Sequence, residues 1–341
     1  MAMDLTLLSE PNYSSLPNDG RRQALTAIAE KYGATISEFI RFERFGRHLD
    51  TAIFIVGDSE FVFVPGAEVN LGWDGFVTPP SMDMWVELAE WFTCEEPPEE
   101  GDLEVRKRAQ EEAFQQDTID IFREQTTPKG TFTIGPMLVE RRVIQPCWRD
   151  IPAEDVEVRA DVQELIRKAI DHHVDVYTLR NRLEVSQSNN TAHWRAREWE
   201  DLTFDQLKQQ VEAAGFSLPT MREWEYLAGG GCETLAVWGD SLEHNSFRTA
   251  TPGFTNDVQA WEHPNFFGLT IAFDPFKREI VTTDDGFMFK GGDGGCNSHG
   301  GAGFSWAVAF PTSPYFEETE MLRDGPSDRF DFYRRVIRID G

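Results

Sequence analysis

The chain has 341 residues, 40% hydrophobic and 12% aromatic, with 59 acidic against 32 basic side chains and a formal charge of −27. This length can bury a large core and leaves room for two domains. So acidic a surface repels phosphate backbones and anionic lipid, which argues against nucleic acid and membrane surfaces as partners.

The opening MAMDLTLLSEP lacks the basic start and apolar core of a signal peptide, and no run approaches transmembrane length. Cys94, Cys147, Cys232 and Cys296 are scattered without a C-x-x-C pair, which argues against a disulfide framework or a zinc ribbon. A cytoplasmic protein with reduced thiols is expected. The run RRQALTAIAEKY reads as a helix ended by Gly33. Thr35 and Glu38 then make a capping-box pattern that predicts a second helix through about Phe45, stopped by Gly46. Residues 1–50 are therefore expected to form a helical N-terminal extension ahead of a main domain over 51–341. In TAIFIVGDSEFVFVPG, two β-rich runs flank Gly57, Asp58 and Ser59, a hairpin signal, and apolar residues on both faces predict burial.

Residues 79–125 turn acidic and helical. Met84, Leu88 and Trp91 are spaced for one helix face, and LEVRKRAQEEAFQQDTIDIF reads as a charged helix. The segment is expected to be an insertion, either solvated or acting as a partner-binding lid. TFTIGPMLVERRVI predicts a strand, and DVQELIRKAI an amphipathic helix with Leu165, Ile166, Ala169 and Ile170 inward. Adjacent His172 and His173 would point apart on a helix and read as surface or cap residues. RNRLEVSQSNNTAHW reads as irregular, with a turn at Asn189 and Asn190. Two capping boxes follow, Thr203 with Gln206 and Thr220 with Glu223, and their helices stop at Gly215 and at Gly229 to Gly231.

The stretch FMFKGGDGGCNSHGGAGF holds seven glycines with Cys296 and His299 among them, and Asp293, Asn297 and Ser298 add polar groups. No Gly-Lys-Ser/Thr follows, so it is not a phosphate loop. In FSWAVAF, Phe304, Trp306, Val308 and Phe310 alternate with smaller residues, a strand signal. The pattern is strand, glycine-rich turn, strand.

The block LPTMREWEYLAGGG, with Trp238 to Asp240, Asn245, PNFFGL, the glycine-rich stretch and the final YRRVIRI, resembles the formylglycine-generating enzyme (sulfatase-modifying factor) family. FVFVPGAEVNLGWD is similar to that family's opening strand, so the resemblance covers Phe61 onward. It implies an α+β, C-type-lectin-like fold with short strands, two core helices and long irregular loops. Its branches include copper-dependent oxidation of a substrate cysteine through two cysteines, sulfur transfer at a three-histidine iron site, and ligand binding alone. Copper or calcium is the cofactor so implied.

This chain departs from the pattern. Cys296 falls on the first reactive cysteine, while Gly301 stands at the second. Asp293 replaces the usual Ser, TIAFDPFKREI replaces the segment that carries calcium, and the iron branch's His-x-x-x-His-x-Glu is absent. The expected function is therefore binding of a small-molecule or peptide or protein ligand, at a face carrying Asp293, Asn297, Ser298, His299 and Trp306.

The alternative is a metal- and oxygen-dependent oxidoreductase rebuilt around Cys296 and His299. Thiolate and imidazole suit copper or zinc. A stable site needs a third ligand, for which His263, His244 and Cys232 qualify by type. The same pair suits a nucleophile and its base, and also a buried cysteine beside a loop histidine. Trp306, Phe304, Phe310 and Tyr315 suit either a pocket lining or a core strand. Asp274, Asp284 and Asp285 can offer oxygen to calcium but read better as solvated turns. Arg334, Arg335 and Arg338 predict a buried arginine paired with a carboxylate.

Overall fold

The computed structural model describes residues 4–82, 84–86, 88, 103–187, 193–241, 263–271, 277–292, 294, 313–317, 324–327 and 330–341. They form a mixed α+β protein with several antiparallel sheets. The principal sheet has five strands in the order β1 (Thr35–Arg44), β2 (Arg47–Val56), β3 (Ser59–Val64), β6 (Met137–Glu140) and β14 (Val336–Arg338), antiparallel throughout. Phe61, Val62, Phe63 and Val64 of β3 are all fully buried. A strand at the centre of a covered sheet must be apolar on both faces, as its sequence is. Gly57 and Asp58 close the β2–β3 hairpin, with positive φ at Gly57 only, the pattern of a type II′ turn.

Residues 35–44 are strand, not the second helix the sequence suggests. Ile36, Phe39 and Ile40 lie three and four apart like a helix face. The spacing arises because the register with β2 slips between Ile36 and Glu38, a β-bulge that offsets the strand's alternation. Gly46, expected to stop a helix, instead shares the β1–β2 turn with Phe45, both at positive φ, as a type I′ turn requires. Position 50 therefore falls inside β2. Helix α2 (Asn18–Tyr32), preceded by the short α1 (Asn12–Ser15), sends Leu25, Ile28 and Ala29 into the same core as the sheet.

The acidic segment is anchored at both ends. Met84 and Leu88 on one arm and Phe122 of α3 (Leu103–Glu124) on the other are fully buried, and Trp73 and Phe76 pack on Phe122. Trp91 and residues 89–102 lie outside the described residues. The single strand expected over TFTIGPMLVERRVI is two. β5 (Gly130–Ile134) pairs with β4 (Ala67–Leu71), and β6 joins the principal sheet. Pro136, which has no N–H to donate, lies between them.

A second core is built by residues 148–199. β7 (Trp148–Asp150), β10 (Trp194–Trp199), β9 (Leu183–Gln187) and β8 (Val176–Leu179) form an antiparallel sheet in that order, joined by α4 (Ala153–Val158) and α5 (Ala160–Asp171). Within the stretch expected to be irregular, residues 183–187 are β9 and Trp194 begins β10, while the expected turn at Asn189 and Asn190 lies outside the described residues. Leu183 and Val185 point inward while Glu184 pairs with Arg197. So short an alternation among charged residues does not stand out in sequence. In α5 the inward face is Val162, Leu165, Ile166 and Ala169, whereas Ile170, expected inward, is 54% exposed. His172 and His173 are exposed, as expected.

Helices α6 (Phe204–Ala213) and α7 (Met221–Gly229) both carry the expected capping boxes. They lead to β11 (Arg278–Thr283) and β12 (Gly286–Gly291), a hairpin joined by β13 (Asp331–Phe332) parallel to β11.

Candidate functional site

Strand β12 delivers the chain to the glycine-rich stretch, and the residues that hold its root are almost all buried. Lys290, the penultimate residue of the strand, is fully buried. Its Nζ donates to Glu225 Oε1 at 3.0 Å and to the carbonyl of Phe316 at 2.7 Å. Glu225, on α7 and equally buried, also accepts from Thr127 Oγ1 at 2.8 Å and from Arg222 Nη1 at 2.9 Å. An isolated ammonium in such a place is strongly penalised, so burial draws the Lys290 pKa down while Glu225 opposes that shift. Lys290 thereby ties the strand entering the glycine-rich stretch to residues 313–317, which follow it.

Those returning residues are fastened independently. Thr127 N donates to the Tyr315 carbonyl at 2.8 Å, and Glu317 N to that of Gln125 at 2.9 Å. The Tyr315 hydroxyl donates to the Cys232 carbonyl. On the other side Arg278 Nε donates to Asp331 Oδ1 at 2.9 Å, and its guanidinium lies 3.7 Å from the Phe289 ring centroid. Gly294 passes directly over it at φ +65°, where a Cβ would stand 2.7 Å from the guanidinium carbon. A side chain there would have to displace the guanidinium, and the positive φ favours glycine.

Three arginines near the C-terminal strand complete the frame. Arg334 forms a fully buried bidentate pair with Glu279 of β11, at 2.6 and 2.8 Å. Arg335 pairs with Glu140 of β6, and Arg338 with Glu223 of α7. The buried arginine–carboxylate pair expected from the sequence is Arg334 with Glu279, whereas Arg335 is part-buried and Arg338 reaches Glu223 from a more exposed position.

The family-like motifs have structural duties. Asp240 Oδ2 accepts from Val77 N and Thr78 N, and its Oδ1 from Leu235 N. Asn265 donates to the Leu227 carbonyl and accepts from Phe267 N and Leu269 N. Gly268 at φ +81° lies against Phe42.

Cys296, His299, Asp293, Asn297, Ser298 and Trp306 lie outside the described residues, as do Phe304, Phe310, His244 and Asp274. Tyr315 is fully buried beside Cys232. Burial raises the Cys232 pKa, and its Sγ lies against the Thr234 carbonyl and the Tyr315 hydroxyl. His263 is exposed, and its carbonyl accepts from Arg44. Asp284 and Asp285 form the exposed β11–β12 turn. Among the described residues no group of three or more His, Cys, Asp or Glu side chains is placed to hold a metal ion. No helix among them is long and apolar enough to cross a membrane.

Sequence reasoning missed Lys290 and Glu225. The available signal was a lysine in an otherwise apolar strand immediately before a Gly-Gly pair. Neither a scan against protein-family models nor a search of curated proteins returned a match to this chain.

Proposed function

We propose that this chain is a divergent relative of the formylglycine-generating enzymes that has kept a C-type-lectin-like scaffold and uses it for binding. The ligand is a small molecule or a peptide or protein segment, met by the glycine-rich stretch through Asp293, Asn297, Ser298, His299 and Trp306. The supporting observation is the Lys290 clasp, which holds both flanks of that stretch within one buried hydrogen-bonded cluster. A rigid root beneath a variable loop is how binding segments are commonly presented. The two capped helices beside short strands accord with the fold that the resemblance implies. Gly301 at the second reactive-cysteine position weighs against copper oxidation.

The test is a thermal-shift screen of small molecules and peptides on the full chain. Ligands that raise the melting temperature should lose that effect in Trp306→Ala, with the melting temperature of the free protein unchanged. Retention of every hit by Trp306→Ala and by Ser298→Ala would place binding elsewhere. In parallel, a cysteine-containing sulfatase-type peptide incubated with copper and oxygen should remain unmodified by mass spectrometry. Aldehyde product at multiple turnovers would establish the oxidoreductase instead. If protein purified without chelator carries copper, zinc or iron, Cys296→Ser should remove it, because thiolate is the strongest soft ligand in the stretch.

A further inference from the structure

On the principal sheet, α2 and the β1–β2 hairpin flank a solvent-open cavity of about 160 Å³ lined by Asn18, Arg21, Arg22, Phe39, Arg41 and Asp50 among others. Three guanidinium groups meet there with one carboxylate. Such an excess of positive charge is unexpected in a chain whose acidic residues outnumber its basic ones by 59 to 32. The single carboxylate is already divided. Asp50 accepts from Arg41 Nε at 2.8 Å and from Arg41 Nη2 at 2.7 Å, and Arg21 Nη1 lies 3.3 Å from the same group.

Arg21 Nη2 also donates to Asn18 Oδ1 at 3.2 Å, and part of the remaining donor capacity is unspent. Arg21 Nε is buried and has no hydrogen-bond partner. The Arg22 guanidinium sits 4.2 Å from the Phe39 ring centroid and pairs with no carboxylate among the described residues. A buried donor without a partner is a cost that a bound acceptor would remove.

We infer that this cavity is a binding site for a small phosphate monoester, with the phosphoryl group on Arg21, Arg22 and Arg41. Three arginines against one aspartate leave a formal charge of about +2, which matches a phosphoryl dianion better than a monocarboxylate. Planar guanidinium forks suit phosphoryl oxygens. Phe39, Leu25 and Ile40 supply an apolar wall for the esterified carbon skeleton. The small volume favours a free metabolite-sized ligand.

Isothermal titration of the full chain with phenyl phosphate, inorganic phosphate and acetate tests the assignment. Phenyl phosphate should bind with Kd near or below about 1 mM, weakening with added salt. Acetate should bind at least about tenfold more weakly, a difference worth about 1.4 kcal/mol. Phenyl phosphate binding more tightly than inorganic phosphate identifies the monoester as the ligand class, whereas equal binding overturns that class in favour of the free ion. Arg22→Gln should weaken phenyl phosphate about tenfold or more at unchanged melting temperature, because Arg22 contacts only a ring face. Arg22→Lys, which keeps the charge and loses the fork, should fall between. No heat at about 10 mM phenyl phosphate, equal affinity for acetate, or undiminished binding by Arg22→Gln would overturn the proposal.

Discussion

Arg334 and Glu279 bury two opposite charges completely, and the arginine's other donors reach the carbonyls of Glu140 and Thr270. Desolvation of two such ions nearly cancels their attraction, but removal of one strands the other. Arg334→Met should therefore lower unfolding free energy by about 3–5 kcal/mol, read from urea denaturation. Replacing both residues with apolar side chains should recover a large part of that loss. An Arg334→Met loss below about 1 kcal/mol would mean that Glu279 finds another partner. Lys290→Met should be costly for the same reason, though Arg222 remains beside Glu225 to limit it. The exposed cluster of Arg159 with Asp161 and Glu198 belongs to the opposite regime, and Arg159→Ala should change stability by less than about 1 kcal/mol.

Thr220 Oγ1 accepts from Glu223 N, and Glu223 Oε2 accepts from Thr220 N at 2.7 Å, while Glu223 also receives Arg338. Thr220→Ala and Thr203→Ala should each cost about 1 kcal/mol, the usual value of an N-cap. Glu223→Ala should cost more than Thr220→Ala, because it also strips Arg338 of its carboxylate. Equal losses by chemical denaturation would contradict this. Both boxes were legible because a cap is a local device written in four residues. The β2–β3 hairpin was legible for the same reason. β1 was not, because its bulge imitates helical spacing, and pairing with β2 decides the matter. One buried, paired arginine among Arg334, Arg335 and Arg338 is expected from the sequence, but which one and with which carboxylate depends on contacts far apart in the chain. Glu225 is one carboxylate among many on the helices, and its buried partners Lys290 and Thr127 come from distant parts of the chain. The residues proposed for recognition were chosen by chemistry and resemblance alone.

Throughout the fold, several buried phenols and thiols among the described residues are held in their neutral form. Burial raises the pKa of Tyr13, Tyr226, Tyr315 and Cys232, and pushes the Cys147 thiol up to about 12. In the unfolded chain these groups release protons at their ordinary values, about 8.5 for thiols and 10 for phenols. Above those values the unfolded state binds fewer protons than the folded one, so stability falls as pH rises. It is fully present below about pH 8 and should decline by up to about 1.4 kcal/mol per pH unit for each group that titrates. Urea midpoints measured between about pH 8 and 10.5 should fall steadily, and Cys147→Val should flatten the first part of the decline. A flat profile would show that these groups ionise freely in the folded protein.

Arg334, Arg335 and Arg338 reach Glu279, Glu140 and Glu223, which lie on three separate elements. A ribosome makes those elements first and the arginines after all of them, at about 5–20 residues per second. For several seconds the nascent chain thus carries three carboxylates without their cations, and the edge of β6 without β14. Residues 334–338 then work as a latch that lays β14 on β6 and neutralises all three carboxylates. Ribosomes stalled before residue 334 should hold a chain that proteases still cut readily, and release past residue 338 should bring resistance abruptly.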